Sequence, residues 1–277
     1  GQGVDRDHGG RPIKIHPDRN VNPGERPSTR LDHRALYRLP FSLTDNSFAW
    51  LELTQHCNLA CQGCYAAHHT GSHKSLTEIE RNLETIRDYR RADTLLMAGG
   101  EPLTHPRLTE VIRLASQRKF KPVLLTNGMA ITVSHLRELR AAGLKGVSFH
   151  VDSRQNRPGW VGQDEEALNT LRGQLAEMTA AAGGLSCSFH ATVYEQTLPQ
   201  LPAILKWAQQ HIDRVHFMFF VTFRAFSDPS FQAYAGHTPV DFGKLPYGQA
   251  WAERTDLTTR EIADVLARDH PPFEPSA

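Results

Sequence analysis

The chain has no long apolar run and few cysteines, and its charges nearly cancel. No uninterrupted apolar stretch approaches the roughly 20 residues that a bilayer span needs. The polar, Gly-rich opening at residues 1–10 also lacks the apolar stretch of a secretory signal. A formal net charge of +1 over 277 residues gives no global pull toward nucleic acid or an anionic membrane surface. Composition therefore predicts no nucleic-acid partner and no membrane span, and the chain reads as cytoplasmic. Only four cysteines occur, three of them within residues 57–64, a poor layout for a disulfide framework and a good one for a metal centre.

What is present is an α/β pattern. With 39% hydrophobic and 22% charged residues, the chain is long enough for one large α/β domain with appendages. Residues 1–47 are rich in Pro, Arg, Asp and Asn with little periodicity, which predicts an irregular arm with one short helix near 31–38. From residue 48, short apolar segments alternate with longer amphipathic ones, the pattern of repeated βα units and a parallel sheet. Strands are predicted at 48–54, 94–97, 122–126, 146–151, 185–193 and 214–221. Helical spacing marks 76–89, 108–117, 133–142, 165–181 and 201–211, with Ser75 and Glu78 forming a capping box for the first. Gly143 and the pair Gly183 and Gly184 stand where helices should stop.

Six consecutive βα units with right-handed crossovers can curl into a partial barrel, whose sites lie at the carboxyl ends of its strands. After residue 223 the pattern decays, then resumes as a helix at 258–268, so residues 224–277 are read as a C-terminal extension. The chain opens at Gly1 without a methionine and stops in a Pro-rich stretch, as expected of a trimmed copy of something longer.

Cys57, Cys61 and Cys64 follow the first predicted strand directly, with spacing C-x3-C-x2-C. Iron–sulfur clusters normally take four thiolates, so three on one loop imply either a distant fourth or an iron left open for chemistry. A zinc site is the competing reading, because His56, His68, His69 and His73 surround the cysteines and zinc accepts mixed sulfur and nitrogen ligands. The second predicted strand runs into Gly99-Gly100-Glu101-Pro102 and the third into Thr126-Asn127-Gly128. Along the fourth, Ser148, His150 and Asp152 alternate with Val147, Phe149 and Val151, and period-two geometry puts the polar set on one face. His190 and Thr192 form a similar pair on the fifth, beside Cys187, read as a buried free thiol. Arg154, Arg157 and Trp160 follow the fourth strand on a loop that should overhang the site, where an arginine could hold a carboxylate or phosphate bidentately. The aromatic sixth strand, with Phe217, Phe219 and Phe220, reads as packed core rather than cavity wall.

The cysteine loop, the Gly99–Pro102 segment and the turn after the third strand resemble the radical S-adenosylmethionine (SAM) superfamily over roughly residues 48–221. The resemblance implies a partial (β/α)6, TIM-like barrel, with residues 48–223 as its core between the arm and the extension. It implies one 4Fe-4S cluster on Cys57, Cys61 and Cys64, with SAM on the open iron. Reductive cleavage would then give a 5'-deoxyadenosyl radical that abstracts hydrogen from substrate, an oxidoreductase or transferase chemistry fed by a reductant such as flavodoxin or ferredoxin. Carried over to this chain, SAM contacts fall on Gly99, Gly100, Glu101, Thr126, Asn127, Ser148, His150 and Asp152. The position before the third cysteine, often aromatic in the family, is Gly63 here, and Tyr65 is the residue that would compensate. Relatives with auxiliary clusters carry further cysteines toward the C-terminus; none follows Cys187 here, so a complete chain would hold one cluster. The wording of the motifs is similar to a group that includes molybdenum-cofactor, peptide-modifying and tetraether-lipid enzymes. An apolar or lipid-like substrate, a peptide and a small metabolite all stay open, as do two readings without catalysis, a zinc-stabilised binding module and an iron–sulfur electron carrier.

Overall fold

The computed structural model describes residues 48–62, 64, 71–90, 92–224, 233–241, 254 and 256–269. The predicted arm and its short helix lie outside these residues, as do Gly63, Tyr65, His68 and His69. Six parallel strands, β1 (Ala49–Thr54), β2 (Thr94–Gly99), β3 (Lys121–Thr126), β4 (Gly146–His150), β5 (Ser186–Val193) and β6 (Phe217–Thr222), pair in sequence order into one sheet. The connecting helices are α1 (Leu76–Tyr89), α2 (Leu108–Gln117), α3 (Val133–Ala141), α4 (Asn169–Ala182) and α5 (Leu201–Gln210). No further strand pairs with β1 or β6 among the described residues, the outer edge of β1 carrying only an isolated bridge from Thr54 to His73, so the sheet is a partial barrel that does not close.

The sheet's two faces follow from the sequence. Leu51, Leu53, Val147, Phe149, Cys187 and Phe189 are buried against the helices, in one core with Ile79 and Leu83 of α1 and Leu136 and Leu139 of α3. Each fully buried side chain of this size contributes about 1.5–3 kcal/mol. The alternate residues face inward, and on β4 and β5 they are polar: Ser148 and His150, then Ser186, Ser188, His190 and Thr192. A strand buried on both faces would be apolar throughout; here the alternation marks a polar interior wall.

Local signals hold where the sequence placed them. Ser75 caps α1, its hydroxyl accepting from the Glu78 amide while the Glu78 carboxylate accepts from the Ser75 amide. Gly183, at φ +73°, ends α4.

Three expectations are corrected. α4 starts at Asn169, not at 165, because the Glu165 amide donates to Gln200 Oε1 and its carboxylate accepts from the Ser153 amide, which holds the segment in turns. β6 is not packed core: it is an edge strand with Phe219 48% and Val221 53% exposed. Register pairs Ser188, His190 and Thr192 with Phe217, Phe219 and Val221, so these apolar side chains share the inward face. Beyond β6, where the sequence pattern predicts no element before residue 258, the chain forms the hairpin β7 (Ala233–Ala235) and β8 (Thr238–Val240). The expected last helix is α6 (Thr259–Asp269), whose Ile262 and Leu266 pack with Leu201 and Ile204 of α5 and Val193 of β5.

Candidate functional site

Cys57, Cys61 and Cys64, none of them in a disulfide, are partly exposed on the loop leaving the carboxyl end of β1. The loop is held from four sides. At its root, the Thr54 hydroxyl accepts from the His56 amide and donates to the Ser72 carbonyl, and Thr54 forms an isolated bridge with His73. From the end of β3, Asn127 Nδ2 donates to Asn58 Oδ1 at 2.7 Å. From the loop after β4, Asn156 Nδ2 donates to the Ala60 carbonyl and the Arg154 carbonyl accepts from the Gln62 amide, at 3.1 and 2.8 Å. From the end of β5, the Tyr194 hydroxyl donates to the Gln62 carbonyl at 2.9 Å, while the Arg154 guanidinium lies 5.3 Å over the Tyr194 ring and donates to Gln62 Oε1.

The turn after β2 locks the same root by backbone contact. The Gly100 amide donates to the Thr54 carbonyl and the Glu101 amide to the His56 carbonyl, both at 2.8 Å. A Cβ on Gly99, whose φ is +132°, would collide with the Thr54 carbonyl, and one on Gly100 with the His56 carbonyl. Glu101 is 1% exposed and its carboxylate accepts from the Leu103 amide, the Thr126 hydroxyl and the Asn127 amide. Burial pushes its carboxyl above the usual range against these bonds. The three predicted segments therefore meet: Glu101 fixes the end of β3, and Asn127 passes that constraint to the cysteine loop.

The thiols have an environment that asks for a cation. Burial, then the neighbouring Asp152, Cys64 and Cys57, push the Cys61 thiol up to about 12, and burial also raises Cys57. Three thiolates in such a place need a positively charged occupant, and thiolates are the usual ligands of an iron–sulfur cluster. Among the described residues no three His, Cys, Asp or Glu side chains converge on a single-ion site. In the chemistry of their donor set, three thiols on one loop, the residues fit an iron–sulfur cluster. His56, His73 and His105 pack edge to face instead, with His105 Nε2 bonded to the Lys74 carbonyl.

On the interior wall, His150 and His190 stack with ring centroids 4.7 Å apart. Ser148 Oγ bonds His190 Nδ1 at 3.0 Å, and His150 Nε2 bonds Asp152 Oδ2 at 2.6 Å. Asp152 lies two residues past the end of β4, not on it, and is buried. Burial would lift its carboxyl, but the His150 ring and the amides of Thr192 and Arg154 bring it down to about 2. Burial, with His150 beside it, lowers His190 to about 3, so that ring stays neutral. His150, with its side chain 27% exposed, is the more open of the two polar anchors in this pair.

The sequence reading missed Asn58, Gln62 and Tyr194, whose roles appear only when loops far apart in the chain meet. It also missed the fully buried pair of Arg172 and Glu165, joined at 2.6 Å. Arg154 is taken up by Gln62, Tyr194 and Gln196, so it does not present a free fork to a ligand. Tyr65 lies outside the described residues. No helix among the described residues is long and apolar enough to cross a membrane.

Residues 51–177 match the family model described as the radical SAM superfamily. The chain is 29% identical over 201 residues to an AdoMet-dependent heme synthase of Oleidesulfovibrio alaskensis, covering 69% of this chain and 50% of that protein. It is 28% identical over 220 residues to 7,8-dihydro-6-hydroxymethylpterin dimethyltransferase of Methanocaldococcus jannaschii, covering 74% and 42%. The chain thus spans about half the length of the curated relatives it matches. Among solved structures it resembles methylornithine synthase, with a TM-score of 0.53 at 13% identity over 81% of this chain and 62% of that one, a likeness of fold.

Proposed function

The chain belongs to the radical SAM superfamily, enzymes that use SAM and a 4Fe-4S cluster, and from that premise we propose that Cys57, Cys61 and Cys64 are the three protein ligands of its cluster. The observation that carries this reading is the convergence of β1 to β5 on one loop, which holds three cysteines outside any disulfide at the carboxyl end of the sheet. When bound, the cluster and SAM supply a reductively generated 5'-deoxyadenosyl radical that takes hydrogen from the substrate.

The chain's own part is positioning and exclusion of water. SAM is assigned to the rim formed by Gly99, Gly100, Thr126, Asn127, Ser148, His150 and Asp152, with Tyr65 as the aromatic candidate on the cysteine loop. Glu101, with its carboxylate already accepting from three donors, acts on that rim through Asn127. A reductant such as flavodoxin or ferredoxin would supply the electron, in the cytoplasm.

For the substrate, the inward row Phe217, Phe219 and Val221 beside the polar row Ser188, His190 and Thr192 favours a molecule with one apolar and one polar face. Two relatives are by name a heme synthase and a pterin dimethyltransferase, and a ring-bearing substrate would suit such a wall.

The test is anaerobic reconstitution with iron and sulfide, reduction with dithionite, and chromatography for 5'-deoxyadenosine after SAM is added. The expected result is production by the native protein and none by C57A, C61A or C64A. A protein that binds zinc and yields no 5'-deoxyadenosine, where a control enzyme does, would return the zinc-stabilised binding module.

A further inference from the structure

Arg157 is 4% exposed, and its hydrogen bonds all run to uncharged oxygens: Nη2 donates to the carbonyls of Asn127 and His150 and to Gln155 Oε1. It forms no ion pair among the described residues, and its buried Nε–H has no partner there. A buried cation without a counter-ion is costly, by several kcal/mol for desolvation alone. By contrast, the other buried arginine, Arg172, lies directly on Glu165. Arg157 therefore calls for a negative charge that the protein itself does not bring into contact.

Its position says where that charge lies. The loop carrying Arg157 is zipped onto the cysteine loop by two hydrogen bonds that straddle Cys61, from Asn156 to the Ala60 carbonyl and from the Gln62 amide to the Arg154 carbonyl. Burial lowers the guanidinium below its ordinary range, and of the groups whose charge would offset this Cys61 comes first, then Asp152 and Glu101.

We propose that Arg157 is the built-in counter-charge of the cluster and sets its reduction potential. This rests on the reading that Cys61 holds the cluster. One electron from the external reductant adds one negative charge to the cluster; no bond forms or breaks and no proton moves. A fixed, desolvated cation on the loop bonded to both neighbours of Cys61 stabilises the more negative state and makes the cluster easier to reduce.

The experiment is a redox titration of the reconstituted native protein, R157Q and R157K, following the reduced cluster by electron paramagnetic resonance without SAM, and SAM affinity by anaerobic equilibrium dialysis. The expected result for R157Q is a more negative midpoint, with about tenfold less reduced cluster at a fixed poise, which is about 59 mV for a one-electron couple. R157K, which keeps the charge and loses the fork, returns most of that shift. Equal shifts in R157Q and R157K would make Arg157 a hydrogen-bond scaffold and overturn the proposal. A native midpoint in R157Q would overturn it as well, and with weakened SAM binding would assign the guanidinium to the SAM carboxylate. If R157Q assembles no cluster, D152N reads the same field, since Asp152 bears on Cys61 with the opposite sign. Its midpoint moves positive if local charge sets the potential, and an unmoved or more negative value rejects the idea. A native protein that forms no cluster on its cysteines fails the earlier reading instead, which the native spectrum reports before any variant is compared.

Discussion

Asn127 and Asn58, 69 residues apart in the chain, are joined side chain to side chain at 2.7 Å. Through this bond the carboxyl end of β3 holds the residue next to Cys57, and Glu101 in turn holds Asn127 by its amide. The constraint is neutral, short and half buried, so its loss should act on the loop more than on the fold.

N127A and N58A are each expected to lose about 0.5–1.5 kcal/mol of stability, with a double mutant that costs less than the sum. Iron content after reconstitution should fall in all three. Full iron uptake in N58A would show that the loop does not depend on this bond.

G100A places a methyl group against the His56 carbonyl and must displace the backbone that leads into Cys57. Circular dichroism should remain that of an α/β protein while the absorbance of the reconstituted cluster drops. Native cluster absorbance would mean the turn moves freely, contrary to the packing described.

R172M leaves the fully buried Glu165 carboxylate without its partner and should cost about 3–5 kcal/mol by chemical denaturation. Replacing both members, as in E165L combined with R172M, should recover much of it. A loss below 1 kcal/mol in R172M would mean that solvent reaches the pair.

The stacked histidines give a pH signature. His190 is lowered from its ordinary 6.5 to about 3, so on acidification the unfolded chain takes up a proton that the folded one refuses. Its contribution is present above pH 6.5 and is lost as the pH falls toward 3, with a slope of up to about 1.4 kcal/mol per pH unit. H190N should flatten this part of the stability curve. Asp152, held at about 2 against an ordinary 3.8, contributes above pH 3.8 and loses that contribution as the pH falls through about 2, which D152N should remove. Superimposable curves for native protein and H190N between pH 6.5 and 4 would count against a neutral, packed His190.

Periodicity located all six strands and five of the intervening helices because each has one face against the core, and that face is written in alternate or every third and fourth residues. The cysteine spacing and the Gly99-Gly100-Glu101 turn were legible because their residue types have few other uses together. The start of α4 was not: residues 165–168 carry helical spacing, but the buried side chain of Glu165 is spent on Arg172 and Ser153, partners that no local pattern names. The exposure of β6 was misread for a related reason, since an apolar strand looks the same whether a second layer covers it or a cavity does. Asn58, Gln62 and Tyr194 are ordinary residues whose importance comes from position alone.

The sheet that stops at β1 and β6 has one more implication. A closed eight-stranded barrel has a fixed circumference, and its interior takes only what passes its mouth and fits its bore. Six strands joined on one side only behave as a trough: the width between Trp50 on β1 and Phe219 on β6 is set by the twist of the strands between them, not by a ring of hydrogen bonds. Among the described residues nothing ties these two edges together, so that width can change with the twist in a way a closed ring forbids.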